Sequence, residues 1–311
     1  MAAAESKPPR DRLWRGALSL ALDIAAAEVV ASLRDDSIRT ILLRGPALSL
    51  WLYEGGTRFY SDVDLLVAPD DFATAKRILA RLGFVPAAIT PPAGHAQLLR
   101  RRGDSAAVDL HRAIVGIAVP EEEAWSVLAD CTQTLAVGAE EFDVLRLEGR
   151  AMLVALHAAQ HGVGKPQPLE DLSRALERVE GRDWDASAAL ADRLVATEAF
   201  AAGLRLLPAG EAVAARLRLP SETSVETVLR AGTAVDMSLG FERLARLRGP
   251  EKIRLARQKA LPEVAFMRAW TPLARRGRIG LAAAYAWRLA WLLWHAPAGF
   301  RAWWRARSET R

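Results

Sequence analysis

Two aspartates two residues apart, Asp62 and Asp64, stand at the head of the apolar run Leu65-Leu66-Val67. In a strand alternate side chains share a face, so both carboxylates point one way while Val63 and Leu65 point the other. Two residues of strand rise by about 6.6 Å, which lets the pair flank one divalent ion or share two ions about 3.5–4 Å apart. Oxygen-only ligands suit Mg²⁺ or Mn²⁺ better than zinc. The plainer alternative is that Asp62 only caps a strand start.

The elements that must position this pair lie upstream. Residues 38–43, Ile-Arg-Thr-Ile-Leu-Leu, read as a buried strand. Arg44-Gly45-Pro46 breaks it, and 46–53 reads as a short helix. Gly45 permits backbone conformations closed to other residues and lets a ligand approach the main chain. Pro46 suits the first helical turn, and a helix N-terminus after a strand favours anions. Strand, glycine turn, helix, Gly55-Gly56 and then Asp-x-Asp make a layout for phosphate and metal.

The segment from Leu43 to Val67 resembles the uncharacterised nucleotidyltransferase family of the DNA polymerase β superfamily. The resemblance covers about residues 38–180. It implies a catalytic triad of Asp62, Asp64 and a third carboxylate on a later strand, which Ala106-Ala-Val-Asp109-Leu-His111 matches at Asp109. These three would hold Mg²⁺ or Mn²⁺ and take a nucleoside triphosphate as substrate. A nucleoside monophosphate would pass in line to an acceptor hydroxyl, small-molecule or protein, with release of pyrophosphate. In Asp109's alternative reading it sits at a solvent-facing strand position. Gly45 and Ser61 are candidate nucleotide contacts. So is Arg58, as a phosphate clamp or an orienter of the aspartates; its alternative is an exposed loop arginine. Arg44 is a weaker candidate for the same job, and Thr57 a further hydroxyl donor. One departure is Gly45-Pro46 where many relatives have Gly-Gly or Gly-Ser; proline lacks the N–H that a phosphate would use. That departure supports the rival reading, an inactive nucleotide- or partner-binding protein of the same fold.

Downstream, His157 and His161 are spaced i,i+4 on one helix face. With His111 they could make a three-histidine zinc site, but no HExxH arrangement accompanies them. The stretch with Leu169-Glu-Asp171-Leu172 matches the family's helical motif, which implies that His161 touches the nucleotide or acceptor. Its alternative is a helix C-cap, since Gly162 follows.

The expected fold is α+β. Residues 38–148 form a polymerase β-like core with a mixed sheet, preceded by a helix in 1–37. A helical domain follows over 149–268, then a basic, Trp-rich helical tail over 269–311. Further strands are expected at 84–89, 95–101, 106–112 and, at the sheet edges, 132–137 and 142–147. Helices are expected at 10–33, 70–82, 149–161, 169–180, 185–207, 211–218, 222–247 and 251–268. A single cysteine, Cys131, excludes an internal disulfide framework and a Cys₄ zinc site. Residues 1–10 lack an apolar signal core, so a cytoplasmic location is expected.

The net charge of +5 is unevenly spread. Residues 241–311 hold 16 Lys/Arg and 4 Asp/Glu, or +12, which leaves −7 for the rest. Six of ten tryptophans fall at or after residue 270, and Trp287, Trp291 and Trp294 share a helix face by spacing. Residues 279–296 carry one charge, Arg288. A central arginine costs about 2.5–3.5 kcal/mol on insertion scales, so an interfacial helix fits better than a span. Arginines on both flanks suit anionic headgroups, giving peripheral contact through 275–307 at the inner membrane face. The alternative is a Trp face packed on the second domain. Nucleic acid is not expected as a partner, since one aromatic helix face does not track a backbone groove.

Overall fold

The computed structural model describes residues 9–56, 58–87, 94–104, 106–221, 224–232 and 237–310. Thr57 and the expected strand end at 88–89 lie outside the described residues. The chain divides into two units: Met1–Leu153 with Glu177–Leu190, and Val154–Leu176 with Ala191–Arg311.

The first unit opens with helix α1 (Pro9–Asp35), strand β1 (Thr40–Leu42), helix α2 (Pro46–Leu52) and strand β2 (Val63–Val67). Then come α3 (Phe72–Arg81), β3 (Phe84–Pro86), β4 (Ala96–Arg101), β5 (Ala107–His111), α4 (Glu121–Asp130), β6 (Thr132–Val137) and β7 (Glu140–Leu145). The seven strands form one mixed sheet in the order β3-β4-β5-β2-β1-β7-β6. Strand β2 runs antiparallel to β1 and parallel to β5, with Asp64 beside Asp109 in register.

Period-2 alternation explains which face each residue takes. Val63, Leu65 and Val67 of β2, with Val108 and Leu110 of β5, join one core cluster. That cluster includes Leu22, Ala26, Val29 and Leu33 of α1, and Ala75, Ile78 and Leu79 of α3. Asp64, Asp109 and His111 alternate with these residues and so project from the opposite face of the sheet. Helix α1 has a window, Gly16–Asp35, long and apolar enough to cross a membrane, with mean hydropathy 1.7. Its stripe of Leu22, Ala26, Val29 and Leu33 packs into this core, while Leu20 and Ile24 are exposed.

Two sheet details differ from expectation. Strand β7 is interior, paired parallel to β1 at Leu42–Val144 and antiparallel to β6, so on that side only β6 is an edge. Strand β2 starts at Val63, which leaves Asp62 in the bend just before it.

Helices α5 (Leu147–His161), α6 (Pro166–Arg178) and α7 (Gly181–Arg193) each contribute to both units. The second unit continues with α8 (Thr197–Leu204), α9 (Pro208–Arg216), α10 (Val225–Ala231), α11 (Ser238–Arg246), α12 (Gly249–Ala260), α13 (Val264–Trp270) and α14 (Gly277–Glu309). Three helices expected to be continuous are broken. The 185–207 helix breaks at Val195, where φ is +49° and Ala196 N–H donates to the Ala191 carbonyl at 2.8 Å. That is the backbone closure usually made with glycine. The 222–247 helix is α10 and α11, and the 251–268 helix ends α12 before Leu261-Pro262.

Candidate functional site

Chain direction brings the polar residues together. Strand β1 ends next to β2, and Leu43 N–H donates to the Asp64 carbonyl at 2.9 Å. The next residue, Arg44, reaches Asp64, and its Nη2 pairs with Asp64 Oδ1. Gly45 then turns the chain with φ +66° into α2, led by Pro46. A Cβ at Gly45 would meet Tyr60 and the Asp62 carbonyl only at 3.6 Å, so glycine is needed for the dihedral and not for room.

On the parallel neighbour, His111 Nε2 lies 3.2 Å from Asp64 Oδ1 and 3.2 Å from Asp109 Oδ2. Asp109 and His111 share a strand face because they are two residues apart. The ligand atoms of Asp64, Asp109 and His111 all lie within 4.8 Å of one another, a spacing that can hold a metal ion. Asp64 and His111 are buried, while the Asp109 side chain is 24% exposed and reaches solvent.

The charges are strongly coupled. Burial opposes ionisation of Asp64, but the Arg44 guanidinium and His111 outweigh it and hold the carboxyl well below the usual range. Burial likewise works against a charged His111, and its hydrogen bonds to Asp109 and Asp64 overcome that and raise its pKa. Asp62 is pushed up to about 6 by burial and by the negative charges of Asp64 and Asp109, with Arg44 and Ser61 opposing. Asp62 is thus electrically part of the cluster although it precedes the strand. The Ser61 hydroxyl lies 3.4 Å from Asp62 Oδ1. Arg44 Nε is buried with no hydrogen-bond partner among the described residues.

The other candidates stand as follows. Arg58 is buried at 7% exposure, so it is not an exposed loop arginine. It lies near Tyr60, whose hydroxyl donates to Asp23 Oδ1 at 2.6 Å. His161 belongs to the second unit and is the last residue of α5. Its ring sits edge-on to His157 with centroids 4.7 Å apart, and Gly162 follows at φ +58°. That is the setting of a helix end. Asp171 is fully buried and accepts a hydrogen bond from Gln167 at 3.3 Å. Sequence reasoning placed His111 only in a zinc site with His157 and His161. The signal for its true neighbours is Asp109-Leu-His111, the same i,i+2 spacing as Asp62-Val-Asp64. Arg44, ranked below Arg58 by sequence, is the arginine that reaches the cluster.

A family model described as an uncharacterised nucleotidyltransferase matches residues 14–209. Among solved structures the chain is similar to the antibiotic-resistance factor ANT(2'')-Ia, at 12% identity and TM-score 0.43 over 58% of this chain and 96% of that one. It is also similar to an antigenic nucleotidyltransferase-like protein from Paracoccidioides brasiliensis, at 18% identity and TM-score 0.34 over 58% and 92%. No curated protein matches.

Proposed function

The chain belongs to the uncharacterised nucleotidyltransferase family, and from that premise we propose that its Asp64–Asp109 cluster transfers a nucleoside monophosphate from a nucleoside triphosphate, ATP among them, to a hydroxyl acceptor. The observation that carries this reading is the in-register pairing of Asp64 with Asp109 on parallel strands, with Asp62 coupled to both.

The donor set fits a divalent ion. Carboxylate oxygens are hard ligands, and the imidazole of His111 shifts the preference towards Mn²⁺. Asp64, Asp109 and Asp62 would hold Mg²⁺ or Mn²⁺, which when bound would acidify the acceptor hydroxyl and neutralise the triphosphate. The chain's own groups have further roles. The acceptor oxygen bonds to the α-phosphorus, the bond from that phosphorus to the α,β-bridging oxygen breaks, and pyrophosphate leaves. The hydroxyl proton passes to solvent as the acceptor oxygen bonds to phosphorus, and Asp62 would serve as a ligand of the ion. The buried, unpaired Arg44 Nε–H is a donor for a phosphate oxygen, and the Arg44 charge stabilises the negative charge building on the leaving group. Gly45, Ser61 and Arg58 are further proposed nucleotide contacts. The acceptor class, whether sugar, small antibiotic-like molecule or protein hydroxyl, is open to assay.

One observation favours a second reading, nucleotide binding without transfer. Arg44 and His111 already neutralise Asp64, so the chain can hold its cluster without a metal. Incubation with each α-labelled triphosphate, Mg²⁺ or Mn²⁺ and fractionated acceptors separates the two. Label transfer with pyrophosphate release, reduced at least a hundredfold in Asp109→Asn, is the expected result. Nucleotide binding without transfer to any acceptor selects the second reading, and absence of both overturns the two together.

A further inference from the structure

We propose that the outer face of α14 docks the protein in the plane of an anionic lipid surface. One face of this 33-residue helix is consumed by the second unit: Gly280, Ala284, Arg288, Gly299, Trp303 and Ala306 are buried. The opposite face is exposed and apolar. Ile279, Trp287, Leu293, Trp294, Phe300 and Trp304 are 87, 59, 75, 83, 44 and 57% exposed. The exposed positions between Ile279 and Phe300 are otherwise Ala282, Ala283, Ala286, Leu289, Ala290, Pro297 and Ala298. A face about 30 Å long therefore carries no charge.

The charge that could have spoiled this face is turned inward. Arg288 donates from Nε and Nη2 to the Lys259 carbonyl at 3.1 and 2.9 Å, and its guanidinium lies over the rings of Phe266 and Trp270. A helix tied to the body by that face lies along a membrane and does not cross it. The tryptophans divide the same way. Trp303 donates its indole N–H to Glu242 at 2.8 Å, and Trp291 packs edge-on against Trp270 with ring centroids 6.2 Å apart. Core building accounts for these three and not for Trp287, Trp294 and Trp304, whose amphipathic rings suit the headgroup level.

Charge decides the occupant. Arg275, Arg276 and Arg278 stand at one end of the apolar face, and the exposed Arg301 and Arg305 at the other. A second copy laid on this face, parallel or antiparallel, would put cationic end against cationic end. The helix offers no acid before Glu309 to relieve this. Anionic headgroups satisfy both ends at once.

The test uses full-length protein and flotation with two vesicles, phosphatidylcholine alone and phosphatidylcholine with about 30% phosphatidylglycerol. Binding to the anionic vesicles is expected, with a blue shift of tryptophan emission, weakening in salt and at least tenfold preference over neutral vesicles. The Leu293→Glu/Trp294→Glu double variant should lose at least tenfold in binding while melting like the wild type, because both side chains are exposed. Binding equal on both vesicles, or unaffected by the double variant, overturns the proposal. So does a dimer by sedimentation that the double variant dissolves while vesicles capture nothing.

Discussion

The carboxylate cluster on β2 and β5 and the outer face of α14 treat their costly groups in opposite ways. In the cluster, Asp64 is buried and held by Arg44 and His111, and the partly exposed Asp109 is held by His111. On α14, rings that would gain from burial are left in solvent, while the one central charge, Arg288, is buried and hydrogen-bonded. Burial of charge in one place and exposure of aromatics in the other both run against stability taken alone.

The largest effects should separate function from stability within the cluster. Asp109→Asn and Asp64→Ala should each abolish metal-dependent nucleotide transfer, by at least a hundredfold in label transfer. Their folding should differ. Asp64→Ala leaves the Arg44 guanidinium without its carboxylate while His111 keeps Asp109, so denaturant unfolding should show a loss on the order of 3–5 kcal/mol. Asp109 reaches solvent, and its variant should lose about 1 kcal/mol or less. Arg44→Met breaks the same buried pair from the other side and should cost on the order of 3 kcal/mol.

On α14 the contrast should lie between faces. Trp303→Ala removes a buried ring and its hydrogen bond to Glu242, for a loss of about 3–5 kcal/mol by denaturant unfolding. Trp294→Glu, on the exposed face, should stay within about 0.5 kcal/mol. If both were equally damaging, the outer face would be part of the packing and the contrast would fail.

The pH dependence carries a definite sign. The folded-state pKa of Asp62 is about 6, above the ordinary value near 3.9. Between about pH 4 and 6 the folded, metal-free chain keeps a proton that the unfolded chain has lost, so this residue's contribution to stability falls as pH rises through that window. Asp62→Asn should flatten that slope in thermal melts across pH. Asp64, with its depressed pKa, works the other way: its stabilisation is present above about pH 4 and is lost as pH falls further. Metal competes with the Asp62 proton, so Mg²⁺ affinity should weaken as pH drops below 6. Gly45→Ala should cost about 1–3 kcal/mol in thermal melts, because φ +66° with ψ −120° is open almost only to glycine.

Much of the cluster is written in local spacing. Alternation over 63–67 and 107–111 sets the faces of Asp64 and of Asp109 with His111, and the resemblance joins the two strands before any pairing is known, whereas Asp62 lies in the bend before β2. The Arg44–Asp64 pair is not local, because it depends on how β1 is registered against β2. The break at Val195 escaped because a β-branched residue takes the left-handed turn where glycine is the usual signal. The interior position of β7 escaped because parallel pairing to β1 joins segments about a hundred residues apart. Arg288 reads in sequence as a charge interrupting an apolar run. Its partners, Lys259, Phe266 and Trp270, are set by the fold of α12 and α13. The spacing of Trp287, Trp291 and Trp294 suggested one shared face, but Trp291 sits at its margin, packed on Trp270 and stacked with His295.

Asp62, Asp64 and Asp109 are proposed to form a metal-assisted nucleotide site. Its most direct test is calorimetric titration of each nucleoside triphosphate into wild type and Asp109→Asn, with Mg²⁺, with Mn²⁺ and with chelator. Saturable binding to wild type that requires the divalent ion is expected, and it should be lost in Asp109→Asn with a melting temperature lowered by no more than about 4 °C. Absence of binding to folded wild type with any triphosphate and either ion, or binding that survives both chelator and the Asp109 substitution, would contradict it.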